Sequence, residues 1–249
     1  MAFIKRRLTT LKISITAIFT ALVCAATIVF SIYVPATRGY FNIGETMVYT
    51  TALLFGPYVG AFAGGVGSML ADIFLGYWLY APATLIIKAC EGAIVGFLSR
   101  KSFEVKSKII WRGFTFSTGA IVAIIIGYIG TIYYTGYAET SIGLPITGYA
   151  IFPISIPYVF WLSLAIIAAL LISSLGFLYD PLLGWLIVSV LVGGCTMVLG
   201  YFIYEWFLFG AAALVEVPVN IGQLIIGLIV SVPLTKAVLR IMPSLRKEF

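Results

Sequence analysis

Residues Ile43–Leu98 read IGETMVYTTALLFGPYVGAFAGGVGSMLADIFLGYWLYAPATLIIKACEGAIVGFL, and this apolar run contains only four charged side chains. The four are Glu45, Asp72, Lys88 and Glu91. A charged side chain inside a bilayer is costly, so it normally has a partner and a function. Polar and aromatic residues surround the four charges, and together they predict a membrane-embedded site that holds a polar small molecule.

The composition of the whole chain indicates an integral membrane protein. Of its 249 residues, 62% are hydrophobic and 10% are charged, whereas soluble domains carry about 25% charged residues. The basic residues flank apolar segments, which is typical of membrane topology and argues against nucleic-acid binding. Histidine is missing from the sequence and no CxxC pair occurs, so we expect no resident metal ion or cofactor.

Charge determines the predicted number of membrane crossings. The basic segments Lys5–Lys12 and Arg100–Arg112 both belong on the cytoplasmic side, which requires an even number of crossings between them. Gly56-Pro57 divides the second apolar stretch into two short helices, and four further crossings return the basic C-terminal tail to the cytoplasm. The sequence therefore predicts an all-α polytopic membrane protein with both termini cytoplasmic. Its eight predicted spans are Leu11–Val34, Thr46–Phe55, Tyr58–Phe74, Pro82–Leu98, Gly113–Tyr134, Pro157–Leu178, Leu182–Leu208 and Pro218–Leu239.

Several polar residues fall at the outer ends of these spans. The loop after the first span carries Tyr40, Asn42 and Glu45, which suit a lid over a pocket that opens outward. An interfacial aromatic belt with a helix cap would explain the same residues. Lys88 and Glu91 stand three residues apart on one helix face and can pair, and a purely structural ion pair stays open as an alternative.

The last two spans carry a second set of polar residues. Glu216, Asn220 and Gln223 form one stripe at the outer end of the last helix, and Tyr201 and Glu205 form a similar pair on the helix before it. The topology rests on the basic ends alone, yet it places all these clusters in the outer half. This agreement favours one outward-facing polar pocket over scattered structural residues.

Small side chains mark one face of the first helix. Ala17, Ala21 and Ala25 recur every four residues, and such faces let helix backbones approach closely in lipid. The face can pack against this protein's own helices or against another protein. For the glycines of the next spans we expect internal packing; they are Gly56, Gly60, Gly64, Gly92 and Gly96.

Two sequence features that do not occur narrow the range of possible functions. The sequence has no GxxxxGK[ST] loop for holding nucleotide phosphates, so we do not expect ATP hydrolysis by that route. It also shows no inverted repeat with matching broken helices, which argues against a secondary transporter that works alone.

Several segments carry a resemblance to a known family: GYFNIGE at Gly39–Glu45, ALLFGP at Ala52–Pro57, AGGVGSMLAD at Ala63–Asp72, APATLIIK at Ala81–Lys88, MVLGYF at Met197–Phe202, Ala211–Ala213, Glu216–Asn220 and Gln223. On these segments, which cover about residues 10–100 and 186–240, the chain resembles the substrate-binding S component of energy-coupling factor (ECF) vitamin transporters. The riboflavin-type and related uncharacterised subgroup is the most similar.

The resemblance implies a six-helix core in the cell membrane that binds one vitamin or vitamin precursor from outside. It implies a transmembrane coupling protein and two cytoplasmic ATPase subunits as partners. The implied transport step is toppling of the whole S component, driven by ATP hydrolysis in these partners. Ala17, Ala21 and Ala25 match the face that docks the coupling protein in this family. The chain departs from the family pattern where two extra apolar spans intervene. We therefore expect one membrane domain over residues 1–249, with core helices within 11–99 and 182–240 and an inserted hairpin at about 103–181.

The resulting hypothesis is a substrate-binding subunit that captures a vitamin-like solute, with riboflavin as the first candidate. The predicted binding residues are Tyr40, Asn42, Glu45, Asp72, Tyr77, Trp78, Tyr80, Lys88, Glu91, Glu216, Asn220 and Gln223. Two other hypotheses stay open. One is an intramembrane enzyme that uses Asp72, Lys88 and Glu91 for acid–base chemistry, and the other is a structural membrane subunit.

Overall fold

A computed structural model of the protein describes residues 2–100, 108–144, 148–178, 181–242 and 245. Over these residues the chain forms eight α-helices and four short strands, and it divides into two compact units, residues 1–101 with 186–249 and residues 102–185. Six stretches within it are long and apolar enough to cross a membrane, and the last of them, Leu183–Ile241, contains two helices. The prediction of an all-α polytopic membrane protein is confirmed.

The first unit begins with a long helix and a β-hairpin. The elements are α1 (Ala2–Val29), β1 (Ser31–Val34), β2 (Gly39–Asn42), α2 (Glu45–Phe55), α3 (Pro57–Leu75) and α4 (Ala81–Arg100). The predicted first span was too long at its end, because Ser31–Val34 is a strand that pairs antiparallel with Gly39–Asn42. This segment, Ser-Ile-Tyr-Val, is rich in β-branched and aromatic residues, which favour strands once a partner is in register.

Helix α2 is too short to cross a bilayer unaided. Its 11 residues span about 17 Å at 1.5 Å per residue, against a hydrocarbon thickness of about 30 Å. The helix ends where Leu54 O accepts a hydrogen bond from Arg100 Nη2 at 3.2 Å, so α2 and α4 end side by side. Gly56, with a φ of 83°, then turns the chain, and Pro57 begins α3.

Glycine lets α3 and α4 pack backbone against backbone. A Cβ added at Gly60 would lie 2.8 Å from Gly92 O, and one added at Gly65 would lie 2.7 Å from Leu85 O. Real Cβ atoms do not approach other atoms this closely, so only glycine fits. The internal packing expected for the glycines of these spans is confirmed at Gly60 and Gly92.

Two 29-residue helices follow the second unit and, from Leu186 onward, complete the first. They are α7 (Pro181–Phe209) and α8 (Ala213–Ile241), joined by the 3₁₀ turn Gly210–Ala212. Helix α8 begins five residues before the predicted start at Pro218, so Glu216 lies within its first turns. At its middle α8 packs on α2, where a Cβ at Gly227 would lie 2.6 Å from Glu45 Cβ.

The second unit contains α5 (Lys108–Tyr133), β3 (Gly136–Leu144), β4 (Gly148–Ile156) and α6 (Tyr158–Leu178). The two helices are antiparallel neighbours, because Gly119 faces Ala169 O and Trp161 Nε1 donates a hydrogen bond to Tyr134 O at 2.9 Å. The two strands between them pair antiparallel. The assignment of this unit as an insertion into a six-helix core stays a prediction.

Candidate functional site

A polar cavity lies within the first unit. Each helix that lines it does so near the end that is farther from Arg100. Its free space is about 420 Å³, including the part open to solvent. Five helices, strand β2 and the turn before α4 contribute its lining: Thr27, Gly39, Tyr40, Asn42, Ser68, Asp72, Tyr80, Thr84, Lys88, Tyr201, Glu205, Glu216, Asn220 and Gln223. Every helix that reaches the cavity brings at least one polar side chain: a hydroxyl, a carboxylate, an amide or an amine.

The turn of the β-hairpin is anchored to two glutamates through Thr37 and Tyr80. Thr37 Oγ1 donates to Glu216 Oε2 at 2.6 Å. The Tyr80 hydroxyl lies 2.7 Å from Thr37 O and 3.2 Å from Glu205 Oε1. Burial and the nearby charges of both glutamates raise the pKa of Tyr80, so its phenol keeps the proton that it donates. Gly39 permits this close approach, since a Cβ there would lie 2.9 Å from Glu216 Oε1.

Strand β2 also contributes an aromatic–carboxylate pair. The Tyr40 hydroxyl donates to Asp72 Oδ1 at 2.5 Å, and its ring centroid lies 4.4 Å from that of Tyr77. Burial and the Asp72 carboxylate raise the pKa of Tyr40, which therefore stays a neutral donor. The pair holds Tyr40 at the cavity wall and orients one Asp72 oxygen.

The amides of Asn42, Asn220 and Gln223 form a chain along one wall. Asn42 N donates to Gln223 Oε1 at 3.2 Å, and Gln223 Nε2 donates to Asn220 Oδ1 at 2.8 Å. Asn220 is 3% exposed, and its Nδ2 has no hydrogen-bond partner among the described residues. Asn42 Oδ1 accepts from Gly44 N at 2.9 Å. Asn42 therefore shapes the turn into α2, and Asn220, which lines the cavity, keeps a buried donor without a partner among the described residues.

Lys88 is held between two carboxylates at the base of the cavity. Its Nζ pairs with Glu45 and lies 3.2 Å from Glu91 Oε2. Tyr49 Oη donates to Glu91 Oε1 at 2.7 Å, and all four side chains are buried. The predicted pairing of Lys88 with Glu91 is confirmed, and Glu45 is a second partner that spacing along the sequence did not suggest.

The structure brings eight of the predicted binding residues to the cavity: Tyr40, Asn42, Asp72, Tyr80, Lys88, Glu216, Asn220 and Gln223. The other four do not line it. Glu45 and Glu91 lie behind Lys88, Tyr77 packs on Tyr40, and Trp78 points away with 66% of its surface exposed. Trp78 was predicted to bind the ligand because its neighbours are aromatic. It lies in a short turn, however, and such a turn directs consecutive side chains to different sides.

Several lining residues lie outside the predicted set: Thr27, Gly39, Ser68, Thr84, Tyr201 and Glu205. The spacing of Tyr201 and Glu205 could have identified them as lining residues. The two lie on one helix face, as do Glu216, Asn220 and Gln223 on α8. Hydroxyls such as those of Thr27 and Thr84 give no such signal, since isolated threonines are common in apolar helices, where they bond to their own backbone.

The alanines of α1 lie on the outside of the described structure. Ala17, Ala21 and Ala25 are exposed, whereas Thr20 and Val23 between them are buried and pack near Gly67. The alanine face therefore does not serve the internal packing of α1 among the described residues.

The donor set suits recognition of a polar organic molecule. It offers carboxylates, amides, hydroxyls and tyrosine rings in an apolar surround, the usual make-up of a small-molecule site. Among the residues that the structure describes, no group of three His, Cys, Asp or Glu side chains could hold a metal ion.

Comparison with known proteins adds two findings. The family model described as ECF-type riboflavin transporter, S component, matches residues 7–176, a range that runs through α5 and α6. An uncharacterized protein of Pyrococcus woesei is 51% identical over 78 residues, which are 31% of this chain and 52% of the relative. The chain thus spans about half the length of the curated relative that it matches.

Proposed function

This chain belongs to the ECF-type riboflavin transporter S component family, and from that premise we propose that it is the substrate-binding subunit of an ECF transporter. The observation that carries the proposal is the buried polar cavity in an otherwise apolar helical unit. Buried polar groups are costly unless they are paired, and Asn220 Nδ2 keeps no partner among the described residues. A bound polar solute would supply one.

The proposed substrate is a vitamin or vitamin precursor taken from outside the cell. Tyr40, Tyr80 and Tyr201 give the cavity an aromatic wall, and tyrosines offer both stacking area and a hydroxyl. The β-hairpin covers this wall through Tyr40 and Thr37. We propose that the hairpin moves outward to admit a ring system and closes over it. Riboflavin is the first candidate because of the family.

The proposed partners are a transmembrane coupling protein and two cytoplasmic ATPase subunits. Support comes from the family and from the exposed alanine face of α1. Small residues allow a second helix to approach closely in lipid, and Ala17, Ala21 and Ala25 are exposed rather than used within the unit. The chain is a multi-pass membrane protein.

Native mass spectrometry of gently purified protein tests the proposal. We expect one small molecule to copurify and to leave at high collision energy with its mass unchanged. Product formed by the isolated chain would favour the intramembrane enzyme instead. A folded protein that binds nothing across a panel of vitamins would favour a structural subunit and overturn the proposal.

Asn220→Ala is expected to weaken binding of the copurified ligand about tenfold or more while the fold persists. The change removes the free Nδ2 donor and the acceptor of Gln223, and a hydrogen bond lost from a buried partner costs about 1–3 kcal/mol, where 1.4 kcal/mol is about tenfold in affinity. Isothermal titration calorimetry on ligand-stripped protein measures the effect. Ser231→Ala, on the same helix and away from the cavity lining, is the control, and unchanged affinity in Asn220→Ala would remove this residue from the site.

Ala21→Trp is expected to abolish vitamin uptake by cells that express the complete transporter, with ligand affinity of the purified chain unchanged. An indole on the alanine face would hold the coupling protein away from α1. Ile229→Trp places the same bulk at another exposed position, where Ile229 is 63% exposed, and should leave uptake near the wild-type rate. Equal uptake by the two variants would contradict docking through the alanine face.

A further inference from the structure

Asp72 is the point at which several groups around the cavity meet. Its side-chain Oδ1 accepts a hydrogen bond from the Tyr40 hydroxyl at 2.5 Å. Its backbone oxygen accepts one from Tyr77 N at 2.7 Å, and the Tyr77 ring lies against that of Tyr40, with centroids 4.4 Å apart. Gly76, with a φ of 86°, makes the turn between α3 and Tyr77. Asp72 therefore holds Tyr40 twice, directly through its side chain and indirectly through Tyr77.

The same carboxyl group is linked to a second tyrosine, on another helix. The Tyr201 hydroxyl of α7 donates to Thr84 Oγ1 at 3.0 Å, and the Thr84 hydroxyl is in turn a hydrogen-bond donor for the Asp72 carboxyl group. Lys88, one turn after Thr84 on α4, places its Nζ 5.5 Å from the centroid of the Tyr201 ring. This chain of hydrogen bonds joins strand β2, through α3 and α4, to α7.

The chain of hydrogen bonds is buried, and the two rings that it holds line the cavity. Asp72 and Thr84 are 2% and 3% exposed. A phenol can donate to a carboxyl oxygen whether or not the carboxyl group carries a proton, so the arrangement does not depend on the charge of Asp72. Aromatic rings attract one another in defined orientations, and a wall that is oriented in advance loses less freedom when a ligand binds.

Resting on the proposed function, we infer that Asp72 is a positioning residue that orients the rings of Tyr40 and Tyr201 for stacking on a planar aromatic ligand. It acts through the two tyrosines and not through a bond of its own to the ligand. Because Tyr40 belongs to the hairpin and Tyr201 to α7, one carboxyl group ties the closed position of the hairpin to the cavity wall on α7. The ligand class is a flat conjugated ring system, and the isoalloxazine of riboflavin belongs to it.

The fluorescence of riboflavin tests the inference, because an excited flavin that stacks on a tyrosine ring takes an electron from the phenol and loses its emission. Purified protein in nanodiscs, stripped of ligand, is titrated with riboflavin. Two quantities are measured, the dissociation constant and the emission of the fully bound flavin. The emission of bound flavin reports the geometry of the rings and does not change when a variant is only less stable. We expect strong quenching in the wild type.

Asp72→Leu removes the acceptor at nearly the same side-chain size. We expect it to weaken riboflavin binding about tenfold or more and to make the bound flavin brighter. Asp72→Asn keeps an oxygen acceptor without the charge, so its affinity should lie within about threefold of the wild type and its quenching should be restored. Tyr58→Phe is the control, because it removes the hydroxyl of a tyrosine that is 90% exposed and should change neither quantity.

Two further variants interrupt the chain of hydrogen bonds without touching the carboxyl group, and they test the inference even if Asp72→Leu does not fold. Tyr40→Phe keeps the ring and removes the hydroxyl that Asp72 holds. Thr84→Val removes the hydroxyl between Asp72 and Tyr201. Each should make the bound flavin brighter. In a folded Asp72→Leu background Tyr40→Phe should add little, because residues that act as one unit are not additive.

The possible outcomes separate this inference from the proposed function. Unchanged affinity and quenching in Asp72→Leu would overturn the inference. Binding to Asp72→Asn that is as weak as to Asp72→Leu, with full quenching, would show that the charge of Asp72 contacts the ligand directly and would also overturn it. Riboflavin that binds the wild type without quenching, or a copurified ligand without a flat conjugated ring, would overturn the inference and leave the proposed function intact. A folded wild-type protein that binds no vitamin and supports no uptake with its partners would overturn both.

Discussion

Lys88→Met is expected to cause the largest loss of stability of any single substitution in the helical core. Lys88 neutralises Glu45 and Glu91, which are 1% and 0% exposed. Removing one member of a buried ionic group leaves the others uncompensated, at a cost of about 3–5 kcal/mol. The detergent-solubilised variant should melt well below the wild type when unfolding is followed by circular dichroism, and it should elute partly as aggregate in size-exclusion chromatography.

The triple variant Lys88→Met, Glu45→Gln, Glu91→Gln separates the charge effect from the loss of the side chain. It removes all three charges together, so no buried charge stays unpaired, and such replacements are often neutral or stabilising. We expect it to recover most of the lost melting temperature. A Lys88→Met protein that melts like the wild type would show that the ion pairs do not stabilise the core. A triple variant as unstable as the single one would assign the loss to packing of the lysine stem.

The sequence predicted the helices well because glycine, proline and basic residues mark their ends. Gly56-Pro57 separates α2 from α3, since Gly56 adopts a φ of 83° and Pro57 begins the next helix. Arg100 ends α4 and, through its bond to Leu54 O, lies beside the end of α2. These signals are local, so one sequence suffices to detect them.

The site was harder to predict because its partners are far apart along the chain. Glu45 meets Lys88 across 43 residues, and Thr37 meets Glu216 across 179. Spacing rules compare neighbours on one helix, so they found Lys88 with Glu91 and missed Glu45. The apolar composition of Ser31–Val34 led to its assignment to the first helix. A strand that pairs only with its hairpin partner can be as apolar as a membrane span, so composition alone does not distinguish the two.

Gly227→Ala is expected to lower the melting temperature and to weaken ligand binding, although the residue does not touch the cavity. The new Cβ would lie 2.6 Å from Glu45 Cβ and 2.7 Å from Tyr49 Cε2. Both neighbours are buried, and both belong to the network around Lys88, so neither side chain can turn away freely. Helix α8 must then move off α2, and overpacking of this kind costs about 1–3 kcal/mol. Thermal unfolding and calorimetric titration measure the two effects.

Gly222→Ala is the matched control, because it adds the same methyl group to the same helix. Its Cβ would meet Phe41 Cε2 at 3.5 Å, an ordinary contact. Both variants gain the helix propensity of alanine, about 1 kcal/mol over glycine, so the difference between them isolates the contact with α2. Equal melting temperatures would show that α8 does not pack closely against Glu45. A lower value for Gly227→Ala alone would show that α8, which carries Glu216 and Asn220, is positioned by its close contact with Glu45 and Tyr49.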